Sequence, residues 1–231
     1  MNVKVRPATR GDCKEISRMI SELAVYEKMP EQVKITHEEL ERDGFCANPF
    51  FECLVAEVPE EHRSKEGEVS TEAFLSPSGS HAHNDESVTS LFLIFPTNHN
   101  KHTSTTFRNQ PLLFTDSFSQ LMSRGFPIVG YALYFYTYST WKGRSVYLED
   151  LYVMPDFRGK GIGKGLLSKV AEVGKKKQCV RLQLSVLDWN TPSRDFYAAK
   201  GAQDITASEG WRSLRFVGQD LDNLANEAPK D

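Results

Sequence analysis

A glycine-rich segment carries the clearest chemical signal in this chain. Residues 158–163 read RGKGIG, directly after a β-forming run that ends at Val153 and before an amphipathic stretch that begins at Lys164. Glycines let a backbone approach a ligand closely, and the first N–H groups of a helix bind anions. The spacing fits neither a P-loop nor a dinucleotide fingerprint. We predict a phosphate or pyrophosphate site here, although a glycine-rich turn without a ligand has the same pattern.

Two further residues stand out by type and context. Glu149 interrupts the run SVYLEDLYV over residues 145–153, where a charge is unfavourable unless it faces a wet cleft or a partner. Strict alternation also allows Glu149 to be an ordinary solvent-facing strand residue. Tyr197 lies in a predicted helix, where its phenol either packs on the sheet with Phe196 or serves as an acid. The residue pattern leaves both alternatives open at each position.

Periodic patterns predict the elements that must position these residues. Strands are predicted over residues 3–6, 51–58, 128–138, 145–153, 181–187 and 210–217. Helices are predicted after a Thr9 cap, from the capping-box segment THEE at residues 36–39 to about residue 42, and over residues 165–177 and 191–200. The order β-αα-β-β-β-α-β-α-β predicts a mixed α/β domain.

Residues 69–127 differ in composition from the rest of the chain. They hold 17 Ser and Thr but only seven charged residues, and no helical or strand period persists through them. Structureless stretches of this length are unusual inside compact domains. We interpret the segment as an insertion, predicted to be disordered, within a single domain over residues 1–231. It would replace the loop between two paired strands, where extra length is tolerated because loop entropy grows slowly with length.

Composition and charge exclude several classes of protein. The 231 residues are 39% hydrophobic and 26% charged, which is typical of a globular domain, and the net charge of −3 argues against a nucleic-acid binder. No apolar run is long enough to span a bilayer, and no secretory signal is visible. The four cysteines are scattered without a C-x-x-C pair, so neither a metal site nor a disulfide framework is predicted. We expect a cytoplasmic protein without membrane or nucleic-acid partners.

Longer blocks of sequence resemble one family. The segments YLEDLYVMPDFRGKGIG, LDWNTPSRDFYAAKGA and SEGWR, together with RPATRGDC, LAVYEKMPEQVK and DGFCANPFFECLVAEVP, are similar to the diamine acetyltransferases. These are the spermidine/spermine N1-acetyltransferases of the Gcn5-related N-acetyltransferase superfamily. The resemblance covers residues 1–68 and 128–231. Within it, STWKGR, LDWN and GAQD are more similar to the second type, which is associated with thialysine.

The resemblance implies a fold and a reaction. The expected fold is a mixed central sheet flanked by helices. The expected reaction moves an acetyl group from acetyl-CoA to a primary amine of a small cationic di- or polyamine, or of a thialysine-like amino acid. Direct attack in a ternary complex, without a metal, is expected. The resemblance also implies a homodimer whose substrate cleft is completed near the subunit boundary.

Individual roles follow from the same resemblance. Tyr197 matches the general acid for the leaving thiolate. Glu149 matches a second catalytic residue, a carboxylate that contacts the amine and acts as base through a water. The positions that match coenzyme contacts are Leu151, Tyr152, Val153, Arg158, Gly159, Lys160, Gly161, Ile162, Gly163, Lys164, Asn190, Thr191, Pro192 and Ser193. The further positions that match substrate contacts are Tyr26, Glu27, Gln183, Leu184, Ser185 and Glu209.

The three predicted substrate carboxylates can act together only if the fold brings them close to one another. Glu27, Glu149 and Glu209 come from separated segments and must converge if they are to attract a cation together. Lys28, next to Glu27, is expected to disfavour long polycations relative to a substrate with a carboxylate. Two alternatives remain open: a coenzyme-binding module whose catalysis is impaired by the insertion, and an acetyltransferase acting on protein lysines or N-termini.

Overall fold

The computed structural model describes residues 3–58 and 128–229, which form a five-stranded sheet with helices on both faces. Its strands are β1 Lys4–Pro7, β2 Glu52–Glu57, β3 Ile128–Ser139, β4 Gly143–Val153 and β5 Arg181–Leu184. Its helices are α1 Cys13–Tyr26, α2 His37–Gly44, α3 Ile162–Lys176, α4 Thr191–Ala198, α5 Ile205–Glu209 and α6 Gln219–Asn226. Strands β1 to β4 are sequential antiparallel neighbours, and β5 joins β4 in parallel. The predicted mixed sheet is confirmed.

The core lies between this sheet and its two long helices. On one face the Tyr152 hydroxyl donates to Glu22 of α1 at 2.9 Å. On the other face the side chain of Val153 lies close to Gly163 of α3. Neighbouring residues of a strand point to opposite faces, so α1 and α3 cover opposite sides of the sheet. The helix predicted after Thr9 is confirmed as α1, and its residues Cys13, Ile16 and Met19 are buried against the sheet.

A β-bulge divides β4 into two parts. Leu133 of β3 pairs with Asp150 and Tyr134 pairs with Leu148, so Glu149 has no partner in β3. An extra residue in one strand reverses the side-chain alternation beyond it. Before the bulge, Val146 approaches α3, whereas after it Tyr152 faces α1. The sequence allowed Glu149 to be an ordinary solvent-facing strand residue if side chains alternated strictly along β4. That alternation is interrupted at Glu149.

Strands β2 and β3 are separated by a long interval in the sequence but pair with each other in the sheet. Glu57 of β2 pairs with Ile128 of β3, and the antiparallel ladder continues to Glu52 and Tyr134. This confirms the predicted pairing of the runs over residues 51–58 and 128–138. The predicted insertion at residues 69–127 lies outside the described residues and stays a prediction.

The structure corrects three details of the predicted elements. The last predicted strand is wrong: residues 211–217 form no strand, and Leu214 is 90% exposed. Strand propensity depends on packing against a neighbouring strand, and β5 has only β4 beside it in the described chain. Helix α3 begins at Ile162, ahead of the predicted start, because Gly161 at φ 81° is its N-cap. Thr9 caps a 3-10 turn that precedes α1.

Candidate active site

The glycine-rich segment forms an open loop that leads into α3. Gly159 and Gly161 take φ values of 74° and 81°, which favour glycine, and a side chain at either position would meet open space. The first N–H groups of α3 follow directly. Lys160 donates to the backbone oxygen of Asp156 at 3.1 Å. An exposed loop, a helix N-terminus and adjacent cations are what an anion site requires.

The second part of β4 has a free edge beside this loop. The β4–β5 ladder ends at Leu148 and Leu184, whereas β4 continues to Val153. The Met154 N–H bonds the Val129 oxygen at 3.0 Å, which makes Val153 and Gly130 a non-hydrogen-bonded pair. The N–H and C=O of Val153 therefore point away from β3. The guanidinium of Arg158 confirms the direction, since its Nε donates to the Val153 oxygen at 2.8 Å.

An acidic cluster lies at the bulge. The Asp150 Oδ2 accepts a hydrogen bond from the Tyr131 hydroxyl at 2.9 Å. Burial raises the pKa of Asp150 to about 6, with Glu149 and Glu27 acting in the same direction. Burial also raises the pKa of Glu27, the C-cap residue of α1. Two of the three predicted substrate carboxylates thus converge, together with Asp150.

Tyr197 faces the same cluster from α4. Burial raises the pKa of its phenol to about 12, with the charge of Asp150 contributing. A phenol with a raised pKa keeps its proton at neutral pH, which suits an acid better than a base. Its neighbour Phe196 packs near Gly163, so α4 is held against the start of α3. The helix therefore holds Phe196 against the start of α3 and Tyr197 within electrostatic range of Asp150.

Tyr26 connects the end of α1 to the start of α4. Its hydroxyl donates to the Asn190 Oδ1 at 3.1 Å, and the same oxygen caps α4 by accepting the Ser193 N–H at 3.3 Å. The Tyr26 ring lies 5.8 Å from the Trp189 ring, and Lys28 Nζ lies 4.8 Å from the centre of that ring. Asn190 is buried, so its side chain serves the helix cap. Its predicted coenzyme contact stays a prediction.

The remaining predicted residues lie on either side of the site. Gln183 and Leu184 end β5, and Ser185 bonds the hydroxyl of Tyr147 at 2.6 Å. Thr191 and Pro192 form the first turn of α4. Glu209 accepts from the Trp211 indole at 2.6 Å. The Trp211 ring lies 6.3 Å from the Trp141 ring in the β3–β4 turn. The contacts of Glu209 are therefore at the hairpin end of the sheet, away from the bulge.

Sequence reasoning missed Asp150 and its partner Tyr131. The available signal was the acidic pair at residues 149–150 in an otherwise apolar run. Two consecutive strand residues normally face opposite sides of a sheet, so such a pair places one acid toward the core unless the strand is irregular. Tyr131 is wholly buried and carried no such signal, since buried aromatic residues are common in sheets.

The described part of the molecule contains no group of three or more His, Cys, Asp or Glu side chains arranged to hold a metal. All four cysteines are free. No helix in residues 3–58 and 128–229 combines the length and the apolar character needed to cross a membrane.

Comparisons with known proteins agree with this geometry. The acetyltransferase (GNAT) family model matches residues 87–202. Bovine thialysine N-epsilon-acetyltransferase is 40% identical over 225 residues, 97% of this chain and 98% of that protein. Human spermidine/spermine N(1)-acetyltransferase-like protein 1 is 31% identical over 224 residues, 97% of this chain and 24% of that protein.

A solved structure supports the fold alone. An integron cassette protein from the mobile metagenome of V. cholerae superposes with a TM-score of 0.58 at 18% identity, covering 98% of this chain and 99% of that one. The fold predicted from sequence is confirmed. With the family model and near-full-length relatives in agreement, the chain belongs to the GNAT acetyltransferase family.

Proposed function

We propose that this protein transfers an acetyl group from acetyl-CoA to a primary amine of a small cation, by direct attack in a ternary complex. One observation carries the proposal: Glu27, Glu149, Asp150 and Tyr197 interact electrostatically at the bulge of β4, beside an open glycine-rich loop. Acids attract the cation, and a protonated phenol serves the leaving group. The cluster therefore contains residues for both requirements of amine acetylation, the binding of the cation and the protonation of the leaving sulfur.

The backbone beside the cluster is suited to the coenzyme. The open positions at Gly159 and Gly161 and the first turn of α3 would hold the pyrophosphate. The outward N–H and C=O of Val153 would pair with the amides of the coenzyme arm, after Arg158 releases the carbonyl that it contacts. The Val153 N–H would then polarise the thioester carbonyl, in the manner of an oxyanion hole. Bound there, acetyl-CoA supplies the reactive thioester.

The reaction requires that the ammonium lose a proton and that the departing sulfur gain one, and these two steps define the roles of the side chains. A lysine-type ammonium has a pKa of about 10.4, so the amine must lose a proton before it can attack. Glu149, which is exposed at the bulge, would contact the incoming ammonium. Tyr197 would donate its proton to the departing sulfur. Direct attack is supported over a cysteine intermediate because Cys13 and Cys53 are buried and burial raises the pKa of both thiols.

Of the two amine classes, we favour a thialysine-like amino acid. The identity of 40% to the bovine thialysine enzyme supports this class. Lys28 supports it independently, because its ammonium lies over Trp189 and directly follows Glu27 in the chain. A cation at that place would attract an α-carboxylate and repel the far end of a polyamine.

We further infer a homodimer. The segment after α4 exposes a set of large apolar side chains: Trp211, Leu214, Phe216, Val217, Leu221 and Leu224. These exposed side chains fall within one short stretch of sequence, and clustered exposed apolar surface marks interaction sites. A second copy that covers the segment would also bring Glu209, which lies at the hairpin end of its own sheet, to a subunit boundary. Light scattering on the purified chain is expected to give twice the monomer mass, and L214E/F216E is expected to reduce it.

The decisive experiment is an acetyl-CoA turnover assay on the full chain. Thialysine, spermidine, spermine and a lysine-containing peptide are compared at equal concentration. We expect turnover of thialysine to exceed that of the polyamines and that of the peptide. Coenzyme binding without turnover of any amine would instead support a binding module, and preferential turnover of the peptide would support protein acetylation.

A further inference from the structure

Helix α4 carries Tyr197 but buries little of its own surface. None of its eight residues, Thr191–Ala198, is buried. A helix this short is not stable by itself, so its position depends on contacts with the rest of the fold. The Phe196 ring lies close to Gly163 at the start of α3, which holds the C-terminal half of α4. The N-terminal half must be held by other groups.

The attachment at the N-terminal end is a buried asparagine. Asn190, the N-cap of α4, is only 5% exposed. Its Oδ1 accepts the Ser193 N–H at 3.3 Å and also a hydrogen bond that the Tyr26 hydroxyl donates at 3.1 Å. By contrast, Arg194 of α4 bonds Asp188, which belongs to the segment just before the helix. One amide oxygen therefore both caps α4 and joins it to the distant end of α1.

Tyr26 is itself fixed by contacts of its ring. The ring lies 5.8 Å from the Trp189 ring, and the Arg158 guanidinium lies 5.4 Å from its centre. Arg158 in turn donates to the Val153 oxygen at 2.8 Å. The ring thus contacts both the turn before α4 and the glycine-rich loop. These contacts orient the hydroxyl toward the helix cap.

We propose that Tyr26 is a positioning residue, which holds α4, and with it the Tyr197 hydroxyl, in the reactive position through the side chain of Asn190. The inference rests on the proposed function, and it gives Tyr26 a role other than the substrate contact that the family resemblance implies. Tyr197 lies about two helical turns after Asn190, so a tilt at the cap displaces the phenol. A misplacement of about 1 Å can lower a rate about 100-fold, although no reacting atom is lost.

The test uses Tyr26→Phe, which removes the hydroxyl and keeps the ring. The matched control is Tyr134→Phe, because the Tyr134 hydroxyl donates to Glu52 of the neighbouring strand at 2.9 Å. Each change is made in the wild type and in Tyr197→Phe. We expect Y26F to lower kcat for thialysine about 10-fold in the wild type and to have almost no further effect in Y197F, where no phenol remains to be positioned. Y134F should leave kcat unchanged in both.

A loss by the same factor in both backgrounds would overturn the inference. A residue that contacts the substrate, or that only supports the fold, acts whether or not the Tyr197 hydroxyl is present. Calorimetric titration of 1,5-diaminopentane into the coenzyme A complex gives a second criterion. Weaker diamine binding by Y26F with kcat equal to that of wild type would also overturn the inference and would support a substrate contact of Tyr26 instead.

Amide hydrogen exchange tests the attachment without turnover. Mass spectrometry of the full chain should show faster exchange in α4 of Y26F than in α4 of wild type and Y134F, because loss of one attachment lowers the free energy of local opening. Unchanged exchange in α4 would overturn the inference whether or not the wild type acetylates amines. Absence of wild-type turnover with faster exchange in Y26F would overturn only the proposed reaction and would support the attachment of α4 by Tyr26.

Discussion

Both ends of β4 pair with β3, but they differ in what lies on their other side and in the side chains that they carry. From Gly143 to Leu148 the strand pairs with β3 and β5, and its buried side chains Val146 and Leu148 lie in the core. From Asp150 to Val153 it pairs with β3 alone. There Asp150 and Tyr152 face α1 and use their polar atoms in specific hydrogen bonds.

One extra residue accounts for the difference. The bulge at Glu149 reverses the alternation, so Asp150 and Tyr152 face α1, where unbroken alternation would have placed Leu151 and Val153. The hairpin end gains stability from packing, whereas the bulge end leaves backbone and charge available to a ligand.

The largest expected effect comes from removing one tyrosine hydroxyl at the bulge end, compared with the same change at the hairpin end. Tyr197→Phe at the bulge end should lower kcat at neutral pH about 100- to 1,000-fold, because the leaving sulfur loses its acid. Its coenzyme affinity should stay near wild type. Tyr138→Phe is the control at the hairpin end, where the residue is 74% exposed. Steady-state kinetics with thialysine measure both variants, and an unaltered rate for Y197F would remove Tyr197 from the reaction.

A pH-dependent stability effect is expected only at the bulge end. The pKa of Asp150 is raised from 3.8 to about 6, so the folded state holds this proton more tightly than the unfolded chain. The contribution is full below about pH 4 and is lost as the pH rises through about 6. Asp150→Asn removes that loss and should raise the free energy of unfolding near pH 7.5 by about 2–3 kcal/mol.

Urea denaturation of wild type and D150N across the pH range measures this difference. The gain should shrink as the pH falls below about 4, where Asp150 becomes protonated in both states. Glu52→Gln at the matched carboxylate–tyrosine pair should show no comparable gain. A D150N variant that is less stable than wild type at neutral pH would contradict the raised pKa of Asp150.

Packing at the two ends should respond differently to an added methyl group. A side chain at Gly130 would meet the backbone oxygen of Tyr152 at 2.7 Å, so Gly130→Ala should destabilise the protein by about 1–3 kcal/mol. At Gly174 of α3 the contact is the Val146 Cγ1 at 2.9 Å, so a buried side chain must move there and not the backbone. Gly174→Ala also gains about 1 kcal/mol of helix propensity and should be nearly neutral. Thermal unfolding of both variants compares them, and equal losses would mean that the backbone at the bulge end is as adaptable as the core.

The smallest expected effect concerns substrate choice. Lys28→Ala should lower kcat/KM for thialysine about 3- to 5-fold, since exposed charge pairs contribute up to about 1 kcal/mol. Bis(2-aminoethyl) sulfide has the same amine and thioether but no carboxylate, and its kcat/KM should not fall. Lys14→Ala, an exposed lysine at the other end of α1, is the control. An unchanged ratio between the two substrates would show that Lys28 does not contact the carboxylate.

Local patterns were sufficient for most of the elements. The capping box at Thr36 and Glu39, the stripe of α1 and the loop before α3 depend on neighbouring residues, and each was predictable. The strand predicted over residues 210–217 failed because a strand needs a partner edge, which no local pattern reveals. The bulge was missed for a related reason, since a two-for-one pairing exists only between two strands.

For this protein the sequence alone determined the glycine-rich loop before the third helix, the pairing of β2 with β3 and the identity of Tyr197 and Glu149 as candidates. These depend on residue types and short spacings, which fix backbone conformation and local charge. The tertiary structure decided that Asp150 lies beside Glu149 with a hydrogen bond from the Tyr131 hydroxyl, and that Glu209 contacts Trp211 at the hairpin end of the sheet. Burial and long-range hydrogen bonds produce those outcomes, and both arise only when distant segments pack together.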